Sequence, residues 1–486
     1  MRYPRPMHFT KTNLMAGLQC PKHLHLMAHH PEHATQTRTP ASITGEVVEE
    51  HAQREFPDGV TVNRFGGDDP FEHTQQLISD ASVNTIFQAA FTANDVEVFV
   101  DVLQRVGAQW DLIEIKASTR VKDHFIDDVS IQAKTASDAG LPINRIKLMH
   151  VNNQFVYQGD QNYNGLFIQD DITEQVKAHW SVVPKNVEAF KAIVNGPEPE
   201  QHITGHCKKP NLCEYRKYCE SQESDYPVGL LPRGGKIITT LLANGITDIR
   251  DIPYDMIKSD NHIRVRNVTI EGKPEQLPEA RDMLGELAYP RYYLDFESIQ
   301  FAIPIWKDTQ PYWQLPFQWS CHIETSNGDI DHEEFLDVSG NDPRRDFAQA
   351  LIKTCKQEGP IIVYNQTFEK SVIKKLANDF PDLEQPLLAL NERIFDLLKV
   401  TQKYYYHPDM RGSWSIKKVL PCLVPELSYS NLGDVQDGTQ AQQSYLDIIG
   451  NLRSADGKAT LTQDLLDYCE LDTLAMVEIA KSIVNA

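Results

Sequence analysis

The sequence predicts an α/β protein of two domains joined by a small helical segment, and three observations carry that expectation. Two β-rich runs, EVFVDVL and DLIEIKA, flank a short Gly-containing turn between Phe99 and Thr119, and a helical pattern follows them. A second strong strand pattern, Tyr292 to Phe296, opens a later succession of strand and helix signals. Between the two, from about Asp225 to Ala288, the composition shifts to Gly, Pro and short apolar helices. A chain of 486 residues has room for two or three cores, and the expected divisions are 1–224, 225–288 and 289–486.

In the early hairpin, Glu114 and Lys116 lie two residues apart and so project from one face of a strand. Asp101, on the partner strand, is within reach of that face. Two carboxylates converging beside a lysine suit phosphodiester cleavage. The acids hold a hard divalent cation, the cation makes hydroxide from water, and the ammonium steadies charge on the phosphate. A surface hairpin with solvated, alternating charges has the same spacing.

The order Asp, then Glu-x-Lys on the next strand, resembles the PD-(D/E)xK nuclease family in its RecB-like iron–sulphur branch. The resemblance implies a helical histidine before the acids, and GEVVEEHAQREF offers Gly45 and His51. It also implies a helix carrying glutamine after the lysine, and VSIQAKTASDAG offers Gln132, without the family's tyrosine a few positions later. Around these, HFTKTNLMAGLQCPKHLHLMAHHPE reads as a short helix with Cys20 near its end. Residues 72–90 read as another helix, RIKLMHVNNQFVY as a strand, and a helix running to about Asn195 stops at NGPEPE.

Past that breaker, HITGHCKKPNLCEYRKYCES carries Cys207, Cys213 and Cys219, with five residues between neighbours. With Cys20 they make a set of four, which in the family holds a [4Fe–4S] cluster. Four thiolates are the right ligands for such a cluster, and zinc is the chemical alternative. Cys321, Cys355, Cys422 and Cys469 are scattered through apolar contexts and read as buried hydrophobes.

The middle stretch, LLPRGGKIITTLLANGITDIRDIP, reads as a helical linker with a helix stopped at Asn244-Gly245. It loosely resembles helix–hairpin–helix modules, whose backbone amides meet phosphates. Beyond it, YPRYYLDFESIQ places Asp295 and Glu297 on one strand face. This Asp-x-Glu resembles the start of the DEDD exonucleases, which have an RNase H-like fold. GPIIVYNQTFEKSVIKKLA then supplies Glu369 where that family has aspartate, and RIFDLLKV supplies Asp396 as a reserve acid. In LLDYCELDTLAMVEIA, Tyr468 and Asp472 are four apart and share a helix face, matching the family's tyrosine version. The lysines of DMRGSWSIKKVLPCLVPELSY could reach a phosphate backbone.

The net charge of −21 argues against a broadly basic surface for gripping duplex nucleic acid, though not against a narrow binding track. No apolar run approaches a membrane span, and the first residues lack the apolar core of a signal peptide, so a cytoplasmic protein is expected. There is no Walker-type GxxxxGK[ST] and no GxGxxG after a strand. Taken whole, the chain is similar to a bacterial family of unknown function that fuses these two modules. That similarity implies a metal-dependent nuclease using Mg²⁺ or Mn²⁺, acting on DNA single strands or ends. His51, Asp101 and Glu114 would hold metal in the first half, with Lys116 and Gln132 beside them. Asp295, Glu297 and Asp472 would do so in the second, with Glu369 assisting and Tyr468 orienting water. An RNA-processing exonuclease is one alternative. A nucleic-acid-binding scaffold with one inactive module is the other.

Overall fold

A computed structural model of the chain describes residues 8–35, 40–67, 69–356 and 358–485, with the side chains of 40 and 41 left aside. The chain is mixed α/β and divides into two compact units: residues up to Glu223 with Phe301–Tyr312, and Ser224–Gln300 with the chain from Trp313 onward. Residues 225–288 are thus counted with the second unit. Among the described residues no helix is long and apolar enough to cross a membrane.

The first unit is built on a sheet of β1 (Phe9–Thr10), β2 (Val60–Thr61), β3 (Thr85–Ala93), β4 (Val96–Val106), β5 (Gln109–Lys116), β6 (Ile143–Val151) and β7 (Phe167–Asp171). Strands β2 to β7 lie in sequence order and β1 pairs with β4. The helices are α1 (Lys11–Gln19), α2 (Pro21–His29), α3 (Pro40–Gln53), α4 (Pro70–Ser79), α5 (Asp123–Asp138), α6 (Thr173–His179), α7 (Val183–Asn195) and α8 (Arg216–Glu220). On β5 the alternation is clean. Trp110 and Leu112 join one buried cluster with Val129 and Ala133 of α5, while Ile113 and Ile115 join another with Val48 and Ala52 of α3. Glu114 and Lys116 therefore face α5.

The helix expected over 72–90 is only partly present. It starts at Pro70, with Asp69 accepting from the amides of Phe71 and Glu72, and ends at Ser79. The rest, TIFQAAFTA, is strand β3, because its β-branched and aromatic side chains pack the sheet rather than a helix stripe.

The second unit has β8 (Glu275–Gln276), β9 (Arg291–Ile299), β10 (Leu315–Glu324), β11 (Ile330–Leu336), β12 (Ile361–Val363), β13 (Ile394–Asp396) and β14 (Tyr405–Tyr406). Its main sheet runs β11-β10-β9-β12-β13: β10 is antiparallel to both β9 and β11, while β12 is parallel to β9 and β13. The helices are α9 (Gly235–Ala243), α10 (Asp260–Glu271), α11 (Glu279–Gly285), α12 (Arg344–Thr354), α13 (Thr367–Asp379), α14 (Glu384–Glu392), α15 (Leu397–Tyr404), α16 (Ile416–Leu423), α17 (Gly438–Ile449) and α18 (Ala455–Asn485). Tyr292, Leu294 and Phe296 of β9 pack with Phe347 of α12, Ile373 of α13 and Leu387 of α14. Period-two alternation turns Tyr293, Asp295 and Glu297 to the opposite face, where α18 lies.

Cys321, Cys355 and Cys469 are buried as expected, but Cys422 is half-buried on the short α16. One close approach is legible only in three dimensions. At Gly359, with φ at +83°, a Cβ would stand 1.9 Å from the carbonyl oxygen of Pro290. Backbone cannot yield as a side chain can, so Gly359→Ala is expected to lose roughly 2 kcal/mol or more, read as a lower urea midpoint. Gly45→Ala, where an added Cβ meets nothing within 4 Å, should instead be neutral or stabilise by about 1 kcal/mol.

Candidate functional site

The second unit gathers Asp295 and Glu297 of β9 with Asp472 of α18, one carboxylate oxygen from each lying within 4.8 Å of the others. Helix spacing puts Tyr468 one turn before Asp472 on the same buried side. Around them, Tyr429 donates to Asp472 Oδ1 at 2.5 Å, and Lys417 Nζ stands 3.2 Å from the Tyr468 hydroxyl. Asp295, Glu297, Tyr468, Asp472 and Lys417 line one open cleft with Gln314, Tyr364 and Phe368.

Electrostatics make this cleft unusual. Burial, and then the charge of Asp472, push the Glu297 carboxyl up to about 8. Asp295 is pushed well up by the same two causes. Asp472 is also raised by burial, against the opposing pull of the Tyr429 hydroxyl and Lys417. Glu369, on α13, is buried with Oε2 lacking a hydrogen-bond partner, and burial lifts it to about 8. It is felt electrostatically by Asp295 and Glu297 but lies outside the tight group of three. Asp396 is occupied otherwise, accepting from the amides of Asn365 and Leu398, both at 3.1 Å, and capping α15.

In the first unit Glu114 is 1% exposed and Oε1 receives two ammonium groups, Lys116 at 2.7 Å and Lys11 at 3.0 Å. The same lysines reach Asp128 of α5 at 2.6 and 3.3 Å, and Gln132 donates to Asp128 Oδ1 at 3.1 Å. Burial works against the charge on Glu114, but the lysines prevail and hold it down at about 2. Its Oε2 has no hydrogen-bond partner.

Asp101 reaches this group through a fault in the sheet. In β4 the buried cluster facing α5 takes Val96, Val98 and Val100 and then Leu103, and in β3 it takes Ile86 and then Ala89. The alternation slips by one at Asp101 and at Gln88, whose φ is +56°, and the β3–β4 pairing skips both. Asp101 Oδ2 then accepts from the Ile115 amide at 2.9 Å. Burial and the neighbouring Glu114 push its carboxyl well up.

The structure thus brings together Asp101, Glu114, Lys116 and Gln132. On α3 the His51 Nδ1–H donates to Val47 O at 3.0 Å, and the ring stands edge-on to Tyr163. From the same helix Glu49 is tied to Asp101 by Gln88 Nε2, at 2.6 Å to Glu49 and 3.4 Å to Asp101. Sequence reasoning missed Glu49, Lys11, Asp128 and Tyr429. The signals were weak: Asp128 is one turn before Gln132, and Lys11 follows the Thr10 cap of α1.

Cys20, Cys207, Cys213 and Cys219 line one cavity together with His23, His206 and Tyr215. Burial pushes up the thiols of Cys20, of Cys213 to about 12 and of Cys219 to about 11, and the sulphurs feel one another's charge.

Residues 292–415 match a family described as a domain of unknown function, DUF2779. The match takes in Asp295, Glu297, Glu369 and Asp396 and stops before Tyr468 and Asp472. The chain is similar to the uncharacterized protein UU173 of Ureaplasma parvum serovar 3, 28% identical over 275 residues, which are 50% of this chain and 39% of that protein. It is also similar to the uncharacterized MG366 homolog of Mycoplasma pneumoniae, 27% identical over 215 residues, 40% of this chain and 32% of that protein. The chain therefore matches well under two thirds of the length of these curated relatives.

A carboxyl whose pKa is raised by folding stabilises the fold while protonated. That contribution is whole below the unfolded value of about 4.3 and is lost as pH climbs through the folded value. For Glu297 and Glu369 the loss builds up from about 4.3 and is complete above about 8. Thermal unfolding of chelator-treated protein should therefore show the melting temperature falling between pH 5 and pH 8 and levelling off above. Saturating Mg²⁺ should remove the fall and Glu297→Gln should shrink it; a flat profile without metal would contradict the burial described.

Proposed function

We propose that the protein is a metal-dependent nuclease with two modules, a RecB-like PD-(D/E)xK unit and an RNase H-like DEDD unit. The observation that carries this reading is the packing of Asp295, Glu297 and Asp472 against one another with Tyr468 beside them. Three carboxylates this close, two of them buried, cannot all ionise readily without a cation, and a pair of divalent ions would supply the missing charge. The sheet order, with the first strand central and the two parallel strands to one side, supports the RNase H-like assignment.

In this reading Asp295, Glu297 and Asp472 would hold Mg²⁺ or Mn²⁺, which when bound would activate water and offset the charge on the leaving oxygen. Tyr468, its hydroxyl set by Lys417, orients the attacking water, and Lys417 meets a phosphate at the cleft mouth. Glu369 would assist from α13, where its charge is felt by Asp295 and Glu297. In the first unit His51, Asp101 and Glu114 would be the ligands, with Glu49 of α3 joined to Asp101 through Gln88. Lys116 steadies the phosphate, and Gln132 holds Asp128 in place. DNA is the expected substrate, with RNA the competing polymer.

Cys20, Cys207, Cys213 and Cys219 would hold a [4Fe–4S] cluster with a structural role, joining the start of the unit to its end. Among the described residues no three of these sulphurs crowd within 4.8 Å of one another. A tetrahedral zinc, with bonds of about 2.3 Å, would bring them to about 3.8 Å. A cubane spreads them wider, because each thiolate binds a different iron.

A narrower version, in which only the second site turns over, is favoured by one observation: Lys11 and Lys116 already neutralise Glu114. The test is degradation of end-labelled single-stranded DNA and RNA with Mn²⁺ by anaerobically purified protein. If only the second site acts, Asp295→Ala should lower turnover roughly 10²-fold or more and Asp101→Ala should leave it unchanged, since several kcal/mol of transition-state stabilisation goes with the metal. If both act, each single substitution should remove a different class of product and only the double substitution should be inert. Wild type inert on both polymers would sink the nuclease reading in favour of a binding role.

A further inference from the structure

A separate cluster of ligating side chains lies on the α18 face of the same sheet. Strands β10 and β11 set His322 directly opposite His332, their ring centroids 4.6 Å apart. Helix α18 adds Glu470 and, three residues on, Thr473. One ligating atom each from His322, His332 and Glu470 lies within 4.8 Å of the others. His322 is buried, and His332 and Glu470 are partly open to solvent.

A relay of hydroxyls joins the two rings. Thr473 Oγ1 lies 2.8 Å from His322 Nδ1 and 2.8 Å from the Ser320 hydroxyl, and 3.0 Å from the Glu470 carbonyl. Ser320 Oγ in turn lies 2.8 Å from His332 Nε2. His332 Nδ1 faces Glu470 Oε1 across 4.0 Å. Two imidazoles and a carboxylate this close together are a ready set of ligands for a cation. Burial and the neighbouring His332 hold His322 down at about 4, so that ring is neutral as a metal ligand must be. The nearby cation, Lys481, is already paired with Glu478 at 3.2 Å.

We propose that His322, His332 and Glu470 form a transition-metal site, best matched to Zn²⁺, distinct from the Asp295–Glu297–Asp472 centre and independent of the nuclease reading. Two imidazoles and one carboxylate favour a borderline ion over Mg²⁺. Three protein ligands leave a fourth position for water on the solvent side. Thr473 and Ser320 are the outer hydroxyls that orient the two rings, as metal-bound imidazoles require. The ion would tie α18 to β10 and β11 through residues that flank Asp472, and so hold that carboxylate's helix against the sheet.

The test uses Co²⁺ as a spectroscopic substitute for Zn²⁺. It is titrated into the full-length protein, purified anaerobically with its cysteines occupied as isolated and with excess Mg²⁺ filling the hard carboxylate sites. The expected result is a single equivalent with visible d–d absorption, no thiolate charge-transfer band, and displacement by Zn²⁺. His332→Gln and Glu470→Gln should each weaken binding at least about 10-fold, and Ser320→Ala about 10- to 100-fold. Asp295→Asn should leave the band intact, which separates this site from the carboxylate centre. Near-ultraviolet circular dichroism of the metal-free variants checks folding, and Glu470→Gln, at a partly exposed side chain, carries the test if His332→Gln unfolds. Absence of the visible band, or a band undiminished in Glu470→Gln, would overturn the proposal.

Discussion

Three carboxylates forced together beneath α18 are the constraint on which the second unit depends. Strand alternation leaves no choice: with Tyr292, Leu294 and Phe296 committed to the apolar face, Asp295 and Glu297 must face the helix. The helix answers with Asp472 rather than with a basic residue. The hydroxyl of Tyr429 and the ammonium of Lys417 temper the repulsion without cancelling it. Burying charge without a counter-charge costs several kcal/mol per ion, so the fold pays for this arrangement by keeping protons on its carboxyls until something better arrives.

The first unit meets the same problem in another way. Its acids are matched by ammonium groups from two directions, Lys116 on the strand itself and Lys11 from α1, so Glu114 is held down while burial and the neighbouring Glu114 push Asp101 up. The sheet fault at Gln88 and Asp101 brings the second acid in, and the Ile115 amide left unpaired by that fault is satisfied by the acid itself. A cation entering here would compete with Lys11 for Glu114. A cation entering the second unit meets no ammonium bonded to its carboxylates among the described residues.

Much of this was legible in the sequence because it rests on period. Glu-x-Lys and Asp-x-Glu are strand spacings, and Tyr468 with Asp472 is a helix spacing; all three put side chains where the pattern said they would go. What stayed hidden depends on departures from period or on contacts distant in sequence. Perfect alternation through VEVFVDVL gives no hint that the strand slips at Asp101. Lys11 meets Glu114 across more than a hundred residues, and no spacing on α3 singles out Glu49 as the residue that Gln88 ties to Asp101. The α4–β3 boundary was missed for a local reason, since a short amphipathic helix runs within a few residues into a buried strand whose alanines look helical.

The account stands most directly on whether the carboxylates of β9 and α18 hold divalent cations. Counting bound Mn²⁺ by electron paramagnetic resonance, in full-length protein with and without Asp295→Asn and Glu297→Gln together, measures this without reference to any substrate. The account predicts that the double substitution removes Mn²⁺ from the wild-type complement and raises the melting temperature of the metal-free protein, because buried repulsion goes with the charges. Equal Mn²⁺ binding in the two proteins would contradict it.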